Sequence, residues 1–451
     1  MTRLIRLRNR FLQVILWLAG YILTKSKARP PIGYLELIRH SGVVNVKNPK
    51  VDYEAVEKWE YADKLWIQGK YLDSVECRTS ILSEIYKSNG VLEEGYAPPG
   101  LSLGFVGPIG HQAMLCTHIL AQDLGIIKPR VSILPIYKEQ MKRPLIRAVE
   151  KNLNFLQYAQ GASVSELPNN WHIFERLQLI RTTDSFLDLY QLIEKVFQHV
   201  NVTPENPLVH LPIDYEDFAQ RELELLGLPK DAWFATIHIR NTGKPLARRN
   251  QPISAYFAAV KEVIASGGWV IRVGDSSMKE FPEFPNFIDL ATSQQNLSYL
   301  HPYVLAKGKF FIGTSSGPAS VPPLFGVPTL ITNVTSIGRN ILSSSANSIY
   351  IPKKTLKGKN KALSYSEVLE SSDGFGELEL NELQEQDLYL ECNSEEEILL
   401  GVRELMSRIS GSHTVDDKSS RIIAEIRTAF PYASKGTVAQ SFIDKNAHWL
   451  N

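Results

Sequence analysis

The chain has few of the residues that define disulfide-rich, zinc-binding or nucleic-acid-binding proteins. Its 451 residues include only three cysteines, Cys77, Cys116 and Cys392. Their scattered positions fit neither a disulfide framework nor a metal motif, which suits a protein of a reducing compartment. The formal net charge of +1 gives no support for binding nucleic acid by bulk electrostatics. We therefore expect a globular protein without a nucleic-acid partner.

Several motifs that mark common active sites are also missing. The chain has no GxxxxGK[ST] phosphate loop and no HExxH metal motif. It also lacks the Asp-x-Asp triplet with which many metal-dependent transferases hold a divalent ion on a diphosphate. Any phosphate site is therefore expected to use side chains and backbone groups, with no metal ion and no other cofactor.

The apolar stretch near the amino terminus is too short to cross a bilayer. Phe11–Thr24 has 14 residues, whereas a membrane-spanning helix needs roughly 20. Basic residues flank it on both sides, and no small-x-small cleavage site follows. We predict that residues 1–29 form a helix lying in the membrane interface, on the cytoplasmic face of the plasma membrane. The alternative is a helix that packs on the protein's own core.

The length of the chain predicts at least two domains. We expect a helical extension at 30–98, an amino-terminal α/β domain at 99–228, a second α/β domain at 229–430 and a tail at 431–451. The extension contains one tetratricopeptide-like helical hairpin around Gly69, too few repeats for a stable solenoid.

The second α/β domain is expected to carry an acidic insertion at 362–400. Ala362–Val402 contains 12 acidic residues and neither lysine nor arginine, which is typical of a solvated and partly irregular face. A capping box formed by Ser394 and Glu397 predicts that a helix begins at the end of this insertion.

The stretch from Trp233 to Asn333 organises the chain. It alternates short apolar runs with turns and helix-like segments: WFATIHIRNTGK, YFAAVKEVIASGGWVIRVGD and KFFIGTSSGPASVPPLFGVPTLITN. Short β-rich runs without polar alternation predict a parallel sheet that is covered on both faces. Ligands bind such sheets at the carboxyl ends of the strands. Arg240, Asp275 and the turn Thr314–Gly317 fall at those ends and are expected to converge.

Arg240 is the strongest candidate among these residues. Its planar guanidinium suits phosphate oxygens, and it could stabilise the negative charge that grows on a departing diphosphate. The alternative is a structural ion pair. His238 shares a strand face with Arg240 and could bind a ligand or be a satisfied core histidine. Asp275 could accept hydrogen bonds from a ribose or a base, or cap the turn that begins at Ser276.

Two turns offer backbone N–H groups to a ligand. In Thr314–Gly317 the hydroxyls of Ser315 and Ser316 could join those groups in binding phosphate or ribose; a capped turn without a ligand is the alternative. The turn Gly107–Gly110 precedes a predicted helix and could bind a phosphate or a sugar hydroxyl. His111, at the start of that helix, is the candidate general base.

These motifs resemble a bacterial family of glycosyltransferases that is associated with surface-polysaccharide synthesis. The resemblance covers roughly residues 100–345 and rests on IHIRN, RRNQPISAYFAAVKEVIASGGWVIRVGDSSM, FIDLA and FFIGTSSGPASVPPLFGVPTLITN. HIRNTGK is also similar to the His-x-Arg motif of fucosyltransferases, whose arginine binds the donor diphosphate. It departs from the longer fucosyltransferase pattern at Gly243 and Lys244, where an acidic residue would be expected.

The resemblance implies a GT-B architecture, with two Rossmann-like α/β domains facing a cleft. It implies transfer of a sugar from a nucleotide sugar to a glycan or lipid-linked saccharide. The acceptor would lie on the first domain near Gly107, Gly110 and His111. The predicted donor-binding residues are His238, Arg240, Asn241, Lys244, Arg249, Gly274, Asp275, Thr314, Ser315, Ser316, Gly317 and Asn333. A nucleotide-sugar epimerase of the same architecture and a non-catalytic scaffold are the alternatives.

Overall fold

A computed structural model gives the structure of the protein over part of its length. It describes positions 58, 61–62, 64–65, 73, 77, 109–127, 143–149, 179–181, 186–241, 250–293, 296–335, 343–358, 361–370, 383–384, 386–417, 419–421, 424 and 435–446. The predicted interfacial segment 1–29, the Gly69 turn, Gly107, Lys244 and Arg249 lie outside the described residues.

The described part of the chain alternates strands and helices. The strands are β1 (Leu179–Arg181), β2 (Phe186–Asp188), β3 (Phe234–His238), β4 (Trp269–Arg272), β5 (Phe287–Asp289), β6 (Phe310–Thr314), β7 (Thr329–Val334), β8 (Ile349–Pro352), β9 (Lys354–Lys357), β10 (Lys361–Ala362), β11 (Leu388–Glu391) and β12 (Thr437–Val438). The helices are α1 (Ile109–Asp123), α2 (Pro144–Ala148), α3 (Leu189–His199), α4 (Ile213–Leu225), α5 (Phe257–Ala265), α6 (His301–Lys307), α7 (Tyr365–Glu370), α8 (Glu395–Ile409) and α9 (Gln440–Lys445).

A seven-stranded sheet forms the core, in the order β12-β8-β7-β6-β3-β4-β5. All of its neighbouring strands run parallel. Every residue of β3, β6 and β7 is buried, which confirms the predicted parallel sheet covered on both faces. Counted from β3, the strands β3 to β8 follow the order 3-2-1-4-5-6 of a doubly wound Rossmann sheet.

A smaller antiparallel sheet, β10-β9-β11, follows the main one. The helix α7, the strand β11 and the first turns of α8 fall inside 362–400, so the range expected to be partly irregular contains defined elements. The strand β11 was not predicted because it lies in an acidic stretch and its exposed residues are polar, although Leu388 is buried. The predicted capping box is confirmed: Ser394 Oγ accepts from the N–H of Glu397, whose carboxylate accepts from the N–H of Ser394.

The chain divides into two compact units. One contains residues 1–103, 122–137 and 153–189; the other contains 104–121, 138–152 and 190–451, including the whole seven-stranded sheet. Much of the stretch expected to form an amino-terminal domain thus belongs to the unit that holds the sheet. The arrangement of two Rossmann-like domains around a cleft stays a prediction. None of the described helices is both long and apolar enough to cross a membrane.

Helix α8 fastens the carboxyl-terminal part of the chain to the sheet. A Cβ added at Gly401 would lie 2.9 Å from Cδ1 of Ile351, so glycine lets α8 approach β8 closely. Further along α8, the buried Glu404 carboxylate pairs with Arg408 (Oε1 to Nη2, 2.8 Å). It also accepts hydrogen bonds from the N–H groups of Gln440 and Ser441, both 3.0 Å. One carboxylate therefore holds the start of α9 as well as a buried arginine.

We predict that Glu404→Ala lowers the free energy of unfolding by about 3–5 kcal/mol, because it leaves the buried charge of Arg408 uncompensated. Arg403→Ala on the same helix is the matched control. It breaks an exposed pair with Glu262 (2.9 Å) and should cost less than about 1 kcal/mol. Urea denaturation measures both, and equal losses would contradict the importance of the Glu404 network.

Candidate functional site

A cavity of about 730 Å³ lies at the carboxyl ends of the strands. It is lined by Ile109, Gly110, Gln112, Arg143, Pro144, His238, Arg240, Gly274, Asp275, Met278, Ser298, Tyr299, His301, Pro302, Ser316, Gly317 and Pro318. The segments that follow β3 and β6 meet here, and the strand order reverses between these two strands. Ligands of doubly wound sheets bind at this switch point.

The cavity brings together many of the residues that the sequence singled out. Those that line it are Gly110, His238, Arg240, Gly274, Asp275, Ser316 and Gly317. The other described candidates do not line it: His111, Asn241, Thr314, Ser315 and Asn333. His111 is exposed on α1, whereas Thr314, Ser315 and Asn333 are buried.

Arg240 is held in place by its backbone. Its N–H donates to Oγ1 of Thr314 (3.2 Å), and its carbonyl accepts from the N–H of Gln251 (2.9 Å). Thr314 thus has a supporting role, since it ties the end of β3 to the end of β6. The guanidinium Nε is buried without a hydrogen-bond partner among the described residues. No carboxylate in the described part of the chain forms the structural ion pair that was the alternative reading.

His238 is buried at the end of β3. Its Nδ1 lies 3.1 Å from the carbonyl oxygen of Val273. Because a carbonyl can only accept, Nδ1 carries the proton and Nε2 presents a lone pair. Burial lowers the pKa of His238 to about 4, and the charges of Arg272 and Arg240 add to this effect. The imidazole is therefore a neutral hydrogen-bond acceptor at pH 7.

Of the two roles predicted for Asp275, the capping of a turn is observed, whereas hydrogen bonding to a ribose or a base stays a prediction. Oδ1 of Asp275 accepts from the N–H (2.9 Å) and the hydroxyl of Ser277, so it caps the turn after β4. It also lines the cavity. The hydrogen bonds from Ser277 hold the pKa of this carboxyl below its usual range, which keeps a negative charge at the cavity wall.

The amino-terminal end of α1 lies directly against the turn after β6. A Cβ added at Gly110 would lie 2.7 Å from the carbonyl oxygen of Gly317 and closer still to its Cα. Ser316 Oγ donates to the carbonyl of Thr314 (3.1 Å), which shapes this turn. Two glycines that were predicted for different sides of the site are thus in contact.

Asn333 and Asn241 have their amides committed within the fold. Asn333 adopts a φ of 56° and forms a reciprocal pair with Asn393, in which each side-chain oxygen accepts from the other's N–H (2.6 and 2.7 Å). Its Nδ2 donates to the hydroxyl of Tyr256 (3.4 Å). Nδ2 of Asn241 donates to the carbonyl of Gln251 (2.6 Å). These two residues therefore stabilise the segments around the site.

Several lining residues were missed by the sequence reasoning: Gln112, Arg143, Met278, Tyr299 and His301. FIDLA was not recognised as the strand β5, so the segment between β5 and β6 was not placed at the carboxyl edge. In a parallel sheet the segment that follows a strand begins at the carboxyl edge, so recognising β5 would have placed the start of α6 at the site.

The wall formed by Tyr299 and His301 is fixed from behind by α4. The hydroxyl of Tyr215 donates to the carbonyl of Tyr299 (2.7 Å) and accepts from the N–H of Tyr303 (3.2 Å). His301 is 8% exposed, and its Nε2 has no hydrogen-bond partner among the described residues. Burial, with the nearby His238, lowers the pKa of His301 to about 4.

Among the described residues, no group of three or more His, Cys, Asp or Glu side chains could hold a metal ion. The absence of a metal from the chemistry stays a prediction.

Comparison with known proteins adds little. No family model matches the chain, and no curated protein matches it. Among solved structures, it is similar to the glycosyl transferase family 9 protein from Veillonella parvula DSM 2008, with 16% identity and a TM-score of 0.26. The likeness covers 48% of this chain and 59% of that chain, so this chain spans less than two thirds of that structure. A likeness this weak identifies neither reaction nor substrate.

We predict that His238 and His301 make stability depend on pH. Their pKa values are about 4 in the folded protein and about 6.5 when unfolded. Between these values the unfolded chain binds protons that the folded one does not. The free energy of unfolding should therefore fall as the pH falls from 6.5 to 4, by up to about 1.4 kcal/mol per unit for each histidine.

Urea denaturation between pH 4.5 and 7.5 measures this dependence. The double variant His238→Asn/His301→Asn should show a flatter profile than the wild type, and the difference in slope should shrink steadily as the pH rises above 6.5. Carboxylates also titrate in this pH range and affect both proteins alike. The difference between the two profiles therefore reports the histidines. Parallel profiles would contradict the assignment of two neutral histidines.

The contact between Gly110 and Gly317 gives an asymmetric prediction. Gly110→Ala forces two backbone segments apart and should lower the free energy of unfolding by about 1–3 kcal/mol. In Gly317→Ala the added Cβ would lie 3.4 Å from the N of Gly110, an ordinary contact, and should be nearly neutral. Thermal unfolding of the two variants measures the difference. Equal losses of unfolding free energy in the two variants would contradict the close approach of α1 to the turn after β6.

Proposed function

We propose that the protein is a glycosyltransferase that binds a nucleotide sugar in this cavity and transfers the sugar to a glycan or lipid-linked saccharide. The observation that carries the proposal is the guanidinium of Arg240, which has no ion-pair partner among the described residues and lines the cavity beside Ser316 and Gly317. A partly buried cation that lacks a protein partner is costly, so a bound anion would account for its retention.

Other parts of the wall also favour a phosphate group. Arg143 brings a second guanidinium to the same cavity, and arginine suits phosphate oxygens because of its planar fork of donors. The first turn of α1 contains no acidic residue, and the amino-terminal end of a helix favours anions. Ile109 and Gly110 bring this turn to the cavity.

The volume argues for a ligand larger than a free phosphate. At about 730 Å³ the cavity lies within the roughly 300–1,000 Å³ of sites for small organic ligands. A nucleotide sugar combines a diphosphate with two hydroxyl-bearing rings, so it uses both the cationic and the uncharged polar parts of this wall. A scaffold protein would have no need of either.

In the proposed reaction the bond between the anomeric carbon of the sugar and the donor diphosphate breaks, and a bond from that carbon to the oxygen of the acceptor hydroxyl forms. The leaving diphosphate gains negative charge. Arg240 and the turn at Ser316 and Gly317 would stabilise this charge, without a metal ion. A general base must take the proton of the acceptor hydroxyl. His111 is the proposed base; it is exposed on α1, next to the cavity-lining Gly110 and Gln112.

The wider setting is part of the same proposal. A GT-B arrangement would place the donor on the unit that holds the seven-stranded sheet and the acceptor toward an amino-terminal domain. Residues 1–29 would hold the enzyme at the cytoplasmic face of the membrane, where lipid-linked saccharides of surface polysaccharides are assembled. The resemblance of the sequence motifs supports these points.

We predict that Arg240→Ala weakens nucleotide binding about 10- to 100-fold, since hydrogen bonds to charged groups contribute about 1.5–3 kcal/mol. The assay is calorimetric titration with inorganic diphosphate, UDP, GDP, CDP and dTDP. Arg221→Ala, at an exposed arginine of α4, is the matched control and should bind like the wild type. The same affinity in both variants would remove Arg240 from the site.

The bound nucleotide then identifies the donor to be used in a turnover assay. A transferase releases nucleoside diphosphate in proportion to added acceptor saccharide. An epimerase converts the nucleotide sugar without any acceptor, and this outcome would replace transfer by epimerisation. Binding of neither diphosphate nor any nucleotide to the wild type would refute the proposed function.

A further inference from the structure

One part of the cavity wall offers hydrogen-bond acceptors and no positive charge. It consists of His238 at the end of β3, Asp275 in the turn after β4 and His301 at the start of α6. The charge of Asp275 acts on both histidines, and His238 acts on His301. All three side chains line the same cavity, and we call them the acceptor cluster.

Two members of the acceptor cluster have a lone pair to spare. His238 uses its Nδ1 proton on the carbonyl of Val273, which leaves Nε2 as an acceptor. Asp275 uses Oδ1 to cap Ser277, whereas its Oδ2 accepts no hydrogen bond from the described residues. A ligand group must therefore bring its own hydrogen-bond donors to this part of the cavity.

The third member, His301, has a buried nitrogen atom that lacks a hydrogen-bond partner among the described residues. It is more than nine-tenths buried, and its Nε2 finds no partner in the described part of the chain. Leaving such a buried polar atom unpaired costs about 1–3 kcal/mol, so a ligand atom is the natural partner. A neutral imidazole has one donor and one acceptor nitrogen, and a hydroxyl group can satisfy either of them.

We propose that the acceptor cluster binds the hydroxyl groups of a sugar ring, with His301 as the residue that selects for them. A ring hydroxyl donates to Oδ2 of Asp275 or Nε2 of His238 and exchanges a hydrogen bond with His301. This inference rests on the proposed function, because the ring is either the ribose of the nucleotide or the sugar to be transferred.

Charge separates this subsite from the phosphate site. A phosphate would be repelled by the carboxylate of Asp275 and would gain little from two neutral imidazoles. Arg143 and Arg240 supply the positive charge of the same cavity. The ligand is thus oriented, with its anionic part at the arginines and its hydroxyl-bearing ring at the acceptor cluster.

Analogues that lack a single hydroxyl test this assignment. A site built to hydrogen-bond a hydroxyl discriminates strongly against the deoxy analogue, because its own polar groups are left unpaired. The titration uses the ribonucleoside diphosphate that binds most tightly, its 2′-deoxy form, the corresponding nucleotide sugar and inorganic diphosphate. The proteins are the wild type, His301→Ala, Asp275→Asn and His210→Ala, an exposed-histidine control.

Two affinity ratios are compared: ribonucleoside diphosphate to its 2′-deoxy form, and nucleotide sugar to nucleoside diphosphate. In the wild type and in His210→Ala we expect one of these ratios to be at least about 10. In His301→Ala this ratio should approach one, while the affinity for inorganic diphosphate stays the same. Loss of the ribo-to-deoxy ratio identifies the ribose as the bound ring. Loss of the ratio of nucleotide sugar to nucleotide identifies the transferred sugar.

Asp275→Asn guards against a folding artefact and should lower the same ratio, with circular dichroism confirming that both variants are folded. Unchanged ratios in both variants overturn the subsite while leaving the proposed function intact. An equal loss of diphosphate affinity in His301→Ala also overturns it, since His301 would then act on the anion. Absence of diphosphate and nucleotide binding in the wild type refutes both proposals together.

Discussion

The site depends on the parallel pairing of β3 with its two neighbours, β4 and β6. Their register places His238 opposite Gly313, and a Cβ at Gly313 would lie only 2.5 Å from the carbonyl oxygen of His238. Because all three strands run the same way, the residues that leave them meet at one edge. A shift of one residue would turn the side chains of β3 to the other face. The hydrogen bond from the N–H of Arg240 to Thr314 fixes this alignment where the strands end.

Two arginines near this edge have opposite environments, and the contrast shows what the fold and the site each require. Arg272 is fully buried and pairs with Asp289 (2.8 Å), and its Nη2 donates to the carbonyl of Lys279 (2.8 Å). It holds the end of β4 to β5 and to the following loop. Arg240 has no carboxylate partner among the described residues and faces a cavity. Breaking a buried ion pair such as Arg272 with Asp289 is costly to a fold, whereas a cation at a switch point with no carboxylate partner among the described residues is available to a ligand.

Much of the sheet and part of the site could be predicted from local patterns. Apolar runs without alternation gave β3, β4, β6 and β7, and the parallel arrangement then brought Arg240 and Asp275 to one edge. The strand β5 has three residues, too few for a pattern to be recognised, so His301 was missed. Arg143 was missed because only tertiary contacts bring its segment to the sheet. Asn333 has the position of a ligand residue, but its pairing with Asn393, 60 residues away, cannot be read from sequence.

The positive and neutral parts of the cavity are not independent. The charge of Arg240 is one reason why the pKa of His238 is low, so the guanidinium that would hold a diphosphate also keeps this histidine an acceptor. A bound diphosphate would offset that charge and raise the pKa of His238. Burial makes the larger contribution to the low value and persists when a ligand fills the cavity. The imidazole can therefore remain neutral, and accept a hydrogen bond, both before and after the anion binds beside it.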